Sequence, residues 1–406
     1  MIRQTEISFR DKLSAALNSS NDGSKGKFRA SDDRSLVALK TDADAIKAFL
    51  TQGVSSPATR RMYEKEAERL QFWAVLCLNK AVSDMDMNDF DQYVKFLRQP
   101  DISWVARQKF PKTSVSWRPF VRAIEHEKPV ALSENALLAA ISALNTMMTW
   151  FVDSGYLTGN PLGLVRKKMK HSVRHDAHED KVDRFLNDEI VSDIKTVIMA
   201  MPKEDKRQEM HYERSRFIFS MFIMLGPRIS ELSRSLMMDF RKEDSGWFWK
   251  VIGKGSKGAK VAVPDDMLDA LAHWRKILKL PSALPIGNDT TPVIPVLNKS
   301  GTPLLHKPGM SARRINEILK DIFKMTIDHI RTSQSGRSSE EKILYLSHAS
   351  AHWLRHTSIT QKVKAGMQRE MVQMDARHTD ARTTDRYIHD QEPLRIENAK
   401  KHKMKW

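Results

Sequence analysis

Apolar residues recur at three- and four-residue spacing over two long stretches of this chain. The break after them, Gly159-Asn160-Pro161 followed by a basic run, constrains the fold more than any other feature. Before the break, Met62, Leu70, Trp73, Leu76 and Cys77 keep that spacing, as do Leu137, Ile141, Leu144, Met148 and Phe151. Each such helix carries one apolar face that another element must cover. At 406 residues the chain is longer than a single core usually supports, so two domains are expected.

Residues 1–40 are polar and rich in turn formers around 18–27, which predicts a flexible basic arm. Residues 41–165 read as a small helical domain. Residues 166–180, with Arg166, Lys167, Lys168, Lys170 and Arg174, read as a basic linker, and 181–392 as the second domain, leaving 393–406 as a basic tail. The second domain is helical up to Asp239. It then carries two short strands, 247–252 and 260–263, around a glycine-rich turn. Helices are expected again at 265–279, 311–330, 350–365, 368–376 and 381–389. The fold class is therefore mainly α: a helical domain plus a mixed, mostly helical one with a small antiparallel β-hairpin or sheet.

A net charge of +17 and a pI near 9.7 favour a polyanionic partner, nucleic acid first, because each cation placed on a phosphate releases condensed counterions. The N-terminus lacks the apolar segment of a secretory leader, and the longest apolar run, at 217–225, is too short to cross a bilayer. The expectation is a cytoplasmic protein with no membrane partner, held at the nucleoid when bound to DNA. Cys77, the single cysteine, reads as a buried thiol and allows no internal disulfide.

The chemistry-bearing residues lie in the second domain. His352 and Arg355 are one helical turn apart on a common face, which pairs a proton carrier with a guanidinium able to grip two phosphate oxygens. On its own that spacing also describes a surface pair. His348, His352 and His356 stand at i, i+4 and i+8, and His171, His175 and His178 form a second group, so a metal has to be weighed. The zincin pattern is not met, because Trp353 follows His352, and Arg355 sets a cation beside the ligand set. Downstream, His378 is followed nine positions later by Tyr387, after the pair Thr383 and Thr384, which suits a helix start. Tyr345, in an apolar stretch, reads as packed. Upstream, Gly226-Pro227-Arg228 sets an arginine at a helix start, with Pro227 suited to the first turn and Glu231 placed to brace the guanidinium. The turn between the strands carries Lys254, Lys257 and Lys260. No Gly-Lys-Ser/Thr phosphate loop and no internal repeat occurs.

Together these pieces resemble the tyrosine recombinase, or phage integrase, family. Its catalytic domain carries an Arg in a Gly-x-Arg-x-Ser-Glu-Leu segment, a hairpin Lys, His-x-x-Arg, a second His and a nucleophilic Tyr. Arg228, Lys254, His352, Arg355, His378 and Tyr387 fall in that order. The likeness covers about 181–395, while 41–165 is similar to the family's core-binding domain in character only. Two departures stand out. Ala376-Arg377 replaces the usual Leu-Gly before the second histidine, and Pro227 stands where Leu or Met is common. Neither removes a catalytic atom. An Arg at that junction alters the local turn or adds a phosphate contact.

The resemblance implies that Tyr387 attacks a DNA phosphate to give a 3′-phosphotyrosyl bond and a free 5′-hydroxyl, without ATP, metal or other cofactor. A phenol with pKa about 10 is ionised only to about one part in a thousand at neutral pH, a handicap of roughly 4 kcal/mol that a base and nearby cations must offset. Arg228 and Arg355 would hold the phosphate oxygens, His352 would take the phenol proton, His378 would add a hydrogen bond, and Lys254 would protonate the leaving 5′-oxygen. Exchange through a four-way junction implies double-stranded recombination sites as partner and a homotetramer on two duplexes, with DNA-bending accessory proteins as candidate helpers. A type IB topoisomerase-like enzyme that relaxes DNA, a non-catalytic helical DNA-binding regulator and a metal-dependent phosphohydrolase on the histidine stripe are the alternatives.

Overall fold

The computed structural model describes residues 7–18, 20–31, 36–125, 128–176, 184–252, 258–333, 336–377 and 384. The chain divides into two compact units, Met1–Lys181 and Val182–Trp406.

The first unit is built from α1 (Phe9–Ala16), α2 (Asp42–Ala48), α3 (Pro57–Leu78), α4 (Met87–Arg98), α5 (Glu134–Asp153) and α6 (Leu162–Asp176), with the two-residue strands β1 (Val105–Ala106), β2 (Phe120–Val121), β3 (Ile124–Glu125) and β4 (Lys128–Pro129). Local chemistry fixes the helix ends. Pro57 opens α3 and Asn79, left-handed at φ 49°, closes it. Asp86 and Asp89 form a reciprocal capping box on α4, and Ser133 caps α5. By length and composition α5 is apolar enough to cross a membrane. Its Leu137, Ile141, Leu144, Met148 and Phe151, at the predicted spacing, are all buried in this unit's core.

Three expectations change here. The described part of the predicted arm is packed: Phe9 is buried against Phe72 and Trp104, with ring centroids 5.2 and 4.7 Å apart. The polar turn beyond it is held because Asp42, itself buried, accepts from the Tyr156 hydroxyl at 2.7 Å and from Ser83 N at 3.1 Å. Gly23, at φ 90°, lies so close to Asp42 that a Cβ would fall 2.4 Å from its carboxyl carbon. The basic segment read as a linker is helical as far as Asp176, because Leu162, Val165 and Met169 give α6 an apolar stripe that the core covers. Cys77 is exposed, not buried: the inward face of α3 falls on Leu70, Phe72, Trp73 and Ala74.

The second unit contains α7 (Asp188–Met199), α8 (Lys206–Leu225), α9 (Ile229–Leu232), strands β5 (Phe240–Glu243), β6 (Gly246–Ile252) and β7 (Gly258–Ala262), α10 (Asp265–Ile277), strands β8 (Val296–Leu297) and β9 (Pro303–Leu304), then α11 (Ala312–Ser333), α12 (Arg337–His348), α13 (Ala351–Lys364) and α14 (Arg369–Ala376). The predicted helices at 265–279, 311–330, 350–365 and 368–376 are present, whereas 381–389 lies outside the described residues, Thr384 excepted. α12 and β5 were not anticipated.

β5, β6 and β7 form an antiparallel sheet in which Trp249 pairs with Phe240 and Val261, all three fully buried. α8 runs through the core, burying Phe217, Ile218, Phe219, Met221 and Phe222, and it packs on α7, α10, α11 and α13. Phe217 stacks on Trp274 at 5.3 Å, and Trp274 Nε1 donates to Val293 O at 2.9 Å. The adjacent buried Arg275 binds Asp289 at 2.7 Å and Ser282 O at 3.0 Å, which ties down the loop after α10.

Candidate active site

α8 ends at Gly226, left-handed at φ 56°, and the chain turns there so that Arg228 becomes the N-cap of α9. Pro227 thus precedes the helix and does not occupy its first turn. The reason is Glu231, whose Oε2 accepts from Arg228 N at 2.7 Å and holds that residue extended, at ψ 140°. The Glu231 Oε1 atom takes Arg228 Nη1 at 2.9 Å, so the brace expected from the sequence is present.

From α13 comes the buried Arg355. It donates through Nη1 to Gly226 O at 2.5 Å and through Nη2 to Ala376 O, joining the ends of α8 and α14. Gly226 is needed for this approach, because a Cβ there would sit 3.0 Å from Ser358 Oγ. One turn before Arg355, the His352 ring is accessible yet crowded. Its pKa is lowered from 6.5, first by desolvation and then by the charges of Arg355, Arg184 and Arg228. An imidazole held neutral at pH 7 is able to accept a proton. The His352 and His356 rings meet edge to face at 4.2 Å, while His348 Nδ1 donates to Leu344 O at 2.9 Å. Among the described residues no three His, Cys, Asp or Glu side chains converge on a metal position; the side chains of His171, His175 and His178 lie outside that set.

The structure therefore brings Arg228, His352 and Arg355 into one electrostatic neighbourhood. Lys254, His378 and Tyr387 lie outside the described residues, as does Lys257. Tyr345 is packed edge-on against Trp353 at 5.9 Å.

Arg377 belongs to this cluster. It ends α14 at φ 53°, left-handed backbone that an arginine rarely adopts and a glycine adopts freely. Its Nη2 reaches Gly226 O at 2.9 Å and Glu231 Oε2 at 3.0 Å, its carbonyl accepts from Arg228 Nη2 at 3.2 Å, and its guanidinium stands 5.8 Å from the Trp249 ring. Burial lowers its pKa, with Glu231 opposing. Its Nε and Nη1 have no hydrogen-bond partner among the described residues. The sequence flagged this position only as a departure from Leu-Gly. Nor are Lys362 and Asp375 singled out by the sequence reading; they pair at 2.6 Å, and Asp375 also accepts from Ala262 N at 3.4 Å and fastens α14 to β7. For Lys362 a signal existed: it follows Arg355 by two helical turns on the same face of α13.

Residues 192–393 match the phage integrase family. No curated protein matches the chain in sequence. Several solved structures share its fold. The XerH site-specific recombinase bound to palindromic difH substrate, a post-cleavage complex, is 15% identical with a TM-score of 0.55, over 96% of this chain and 92% of that one. A fragment of the Tn1549 transposon integrase in complex with transposon right end DNA is 13% identical with a TM-score of 0.52, over 87% and 98%. A fragment of lambda integrase, as a dimer bound to a COC′ core site, is 12% identical with a TM-score of 0.51, over 86% and 94%.

Proposed function

Since this chain belongs to the phage integrase family, we propose that it is a site-specific recombinase that breaks and rejoins double-stranded DNA through a 3′-phosphotyrosyl bond at Tyr387. By that membership its enzyme class is the tyrosine-type recombinase. The observation that carries the reading is the meeting of Arg228, His352 and Arg355 inside the matched domain, with the His352 pKa lowered by desolvation and then by the cations around it.

The Tyr387 oxygen attacks the scissile phosphorus as its proton passes to His352. The bond to the 5′-oxygen breaks, and Lys254 donates the proton that lets it leave as a hydroxyl. Arg228 and Arg355 neutralise the non-bridging oxygens, each such group contributing about 3 kcal/mol in comparable sites, and His378 adds a hydrogen bond. The phosphodiester energy is kept in the protein–DNA ester, so attack by the 5′-hydroxyl of a partner strand completes exchange without ATP. Two such rounds call for four protomers on two duplexes, with DNA-bending proteins as accessory partners.

A duplex nicked next to the cleavage position tests this, because the short 5′ fragment diffuses away and traps the ester. The unaltered protein should accumulate a covalent adduct, and Tyr387→Phe should bind the same duplex without forming one. An adduct in the Phe variant would place the nucleophile elsewhere. Joined products from two duplexes distinguish recombination from relaxation of supercoils.

A further inference from the structure

At the other end of α8 lies a cavity of about 630 Å³ whose charged lining is basic: Arg207, His211 and Arg214 from α8, with Lys307 and Arg314 from the segment entering α11, beside the neutral Asn298 and Ser311. No acidic residue is among those that line it. Arg214 is only 3% exposed. Its Nη2 shares a 3.0 Å contact with His211 Nδ1, and its Nε has no hydrogen-bond partner among the described residues. An arginine can only donate, so His211 Nδ1 accepts and the ring of a neutral His211 keeps Nε2 as a donor. Burial together with the Arg314 charge pulls the Arg214 pKa down to about 10. Burial, then Arg214, Arg207 and Arg314, lowers that of His211.

The nearby carboxylates leave Arg214 unpaired, although one of them holds the lining residue Arg314. Asp205 caps α8 by accepting from Gln208 N at 2.8 Å, and Glu317 pairs with Arg313 and Arg314, both at 3.0 Å. A buried guanidinium without a counter-ion is costly and is normally paired. Among the described residues no carboxylate lines the cavity, while the first turn of the 22-residue helix α11 opens beside it at Ser311 and favours negative charge. The site stands apart from the catalytic cluster, since Arg214 and Gly226 are separated by about 18 Å along α8 at ~1.5 Å per residue.

We propose that this cavity is a phosphate-binding site distinct from the catalytic centre, in which Arg214 and Arg314 grip the phosphate oxygens, His211 donates to them, and Arg207 and Lys307 screen the remaining charge. Several cations converging on one cavity fit a multiply charged phosphate compound or a DNA backbone phosphate, and planar guanidinium groups match the oxygen geometry. The site does not depend on the chemistry at Tyr387, so its test and that of the recombination reading fail separately.

Calorimetric titration of the full-length protein with inorganic pyrophosphate at low salt provides that test, alongside Arg214→Met and Arg314→Gln. The unaltered protein should take up pyrophosphate at one site, and both variants should bind it at least tenfold more weakly. Arg214→Met removes an unpaired buried charge and should fold at least as well as the parent; Arg314→Gln alters an exposed side chain and tests the site independently. A duplex lacking any recombination site then identifies the source. If it displaces pyrophosphate, and Arg314→Gln makes the slope of log affinity against log salt shallower by about 0.9, the phosphate is one of the DNA backbone. If pyrophosphate binds equally well with duplex present, the site serves a free phosphate compound. No uptake by the unaltered protein, or equal uptake by both variants, overturns the proposal.

Discussion

At the scale of one side chain, the surroundings of His352 set its protonation state. Its pKa lies below the ordinary 6.5, through desolvation and then the three surrounding cations. In the folded protein the imidazole is thus neutral at pH 7. As pH falls below 6.5 the unfolded chain takes up the proton first, so the stability associated with a neutral His352 is present above 6.5 and is lost down to the folded pKa. An NMR titration of the free protein should find this histidine below 6.5, with Arg355→Gln raising it and bound DNA, whose phosphate offsets the arginines, raising it too. A free-protein value at or above 6.5 would remove the reason for assigning it as proton acceptor. Arg377 poses a separate question of strain, because it holds φ 53° while pairing with the buried Glu231. Arg377→Ala loses the ion pair and keeps the strain, whereas Arg377→Gly loses both. The glycine variant should therefore be the more stable of the two by about 1 kcal/mol in urea unfolding. Equal stabilities would mean that the left-handed turn costs nothing here.

Secondary-structure elements meet at the Gly226 turn, where the ends of α8 and α14 are tied by Arg355 and Arg377. Gly226→Ala introduces both a left-handed alanine, costing about 1 kcal/mol, and a contact 3.0 Å from Ser358 Oγ. Adding Ser358→Ala removes the close oxygen, which has no hydrogen-bond partner among the described residues, so the double variant should melt higher than Gly226→Ala alone. If it melts no higher, the turn and not the contact governs the site. This region also shows what the sequence could convey. The sequence predicts helix up to Asp239, at 350–365 and at 368–376, where α8, α13 and α14 lie, and the Gly-Pro-Arg and His-x-x-Arg spacings single out Arg228, His352 and Arg355 as candidates, because those signals are local. β5 escaped notice since Arg241, Lys242 and Glu243 give it no apolar alternation, and it is recruited by pairing with Trp247 and Phe248. The network through the Gly226 carbonyl was not legible either, since it joins residues 129 and 151 positions apart through backbone atoms that carry no sequence signature. In the first unit, the 18–27 turn was misread because its order comes from Asp42 and Tyr156 far along the chain.

For the whole molecule, the division into Met1–Lys181 and Val182–Trp406 gives each unit a core of its own, so affinity and chemistry become separable. All six residues proposed for catalysis lie in the second unit. Produced alone, residues 182–406 should unfold in one cooperative transition and still form the Tyr387 adduct on a nicked duplex at high protein concentration. The first unit, if it lies on DNA, contributes through phosphate contacts, each adding about 0.9 to the magnitude of the slope of log affinity against log salt. With a net charge of +17 the full chain should show a steep slope, and the fragment a shallower one, the difference counting the contacts made by residues 1–181. The two readouts fail in different ways. An unchanged slope would leave the first unit off the DNA, whereas a folded fragment that binds a nicked duplex and forms no adduct would mean that residues before 182 take part in the chemistry, contrary to the six-residue assignment.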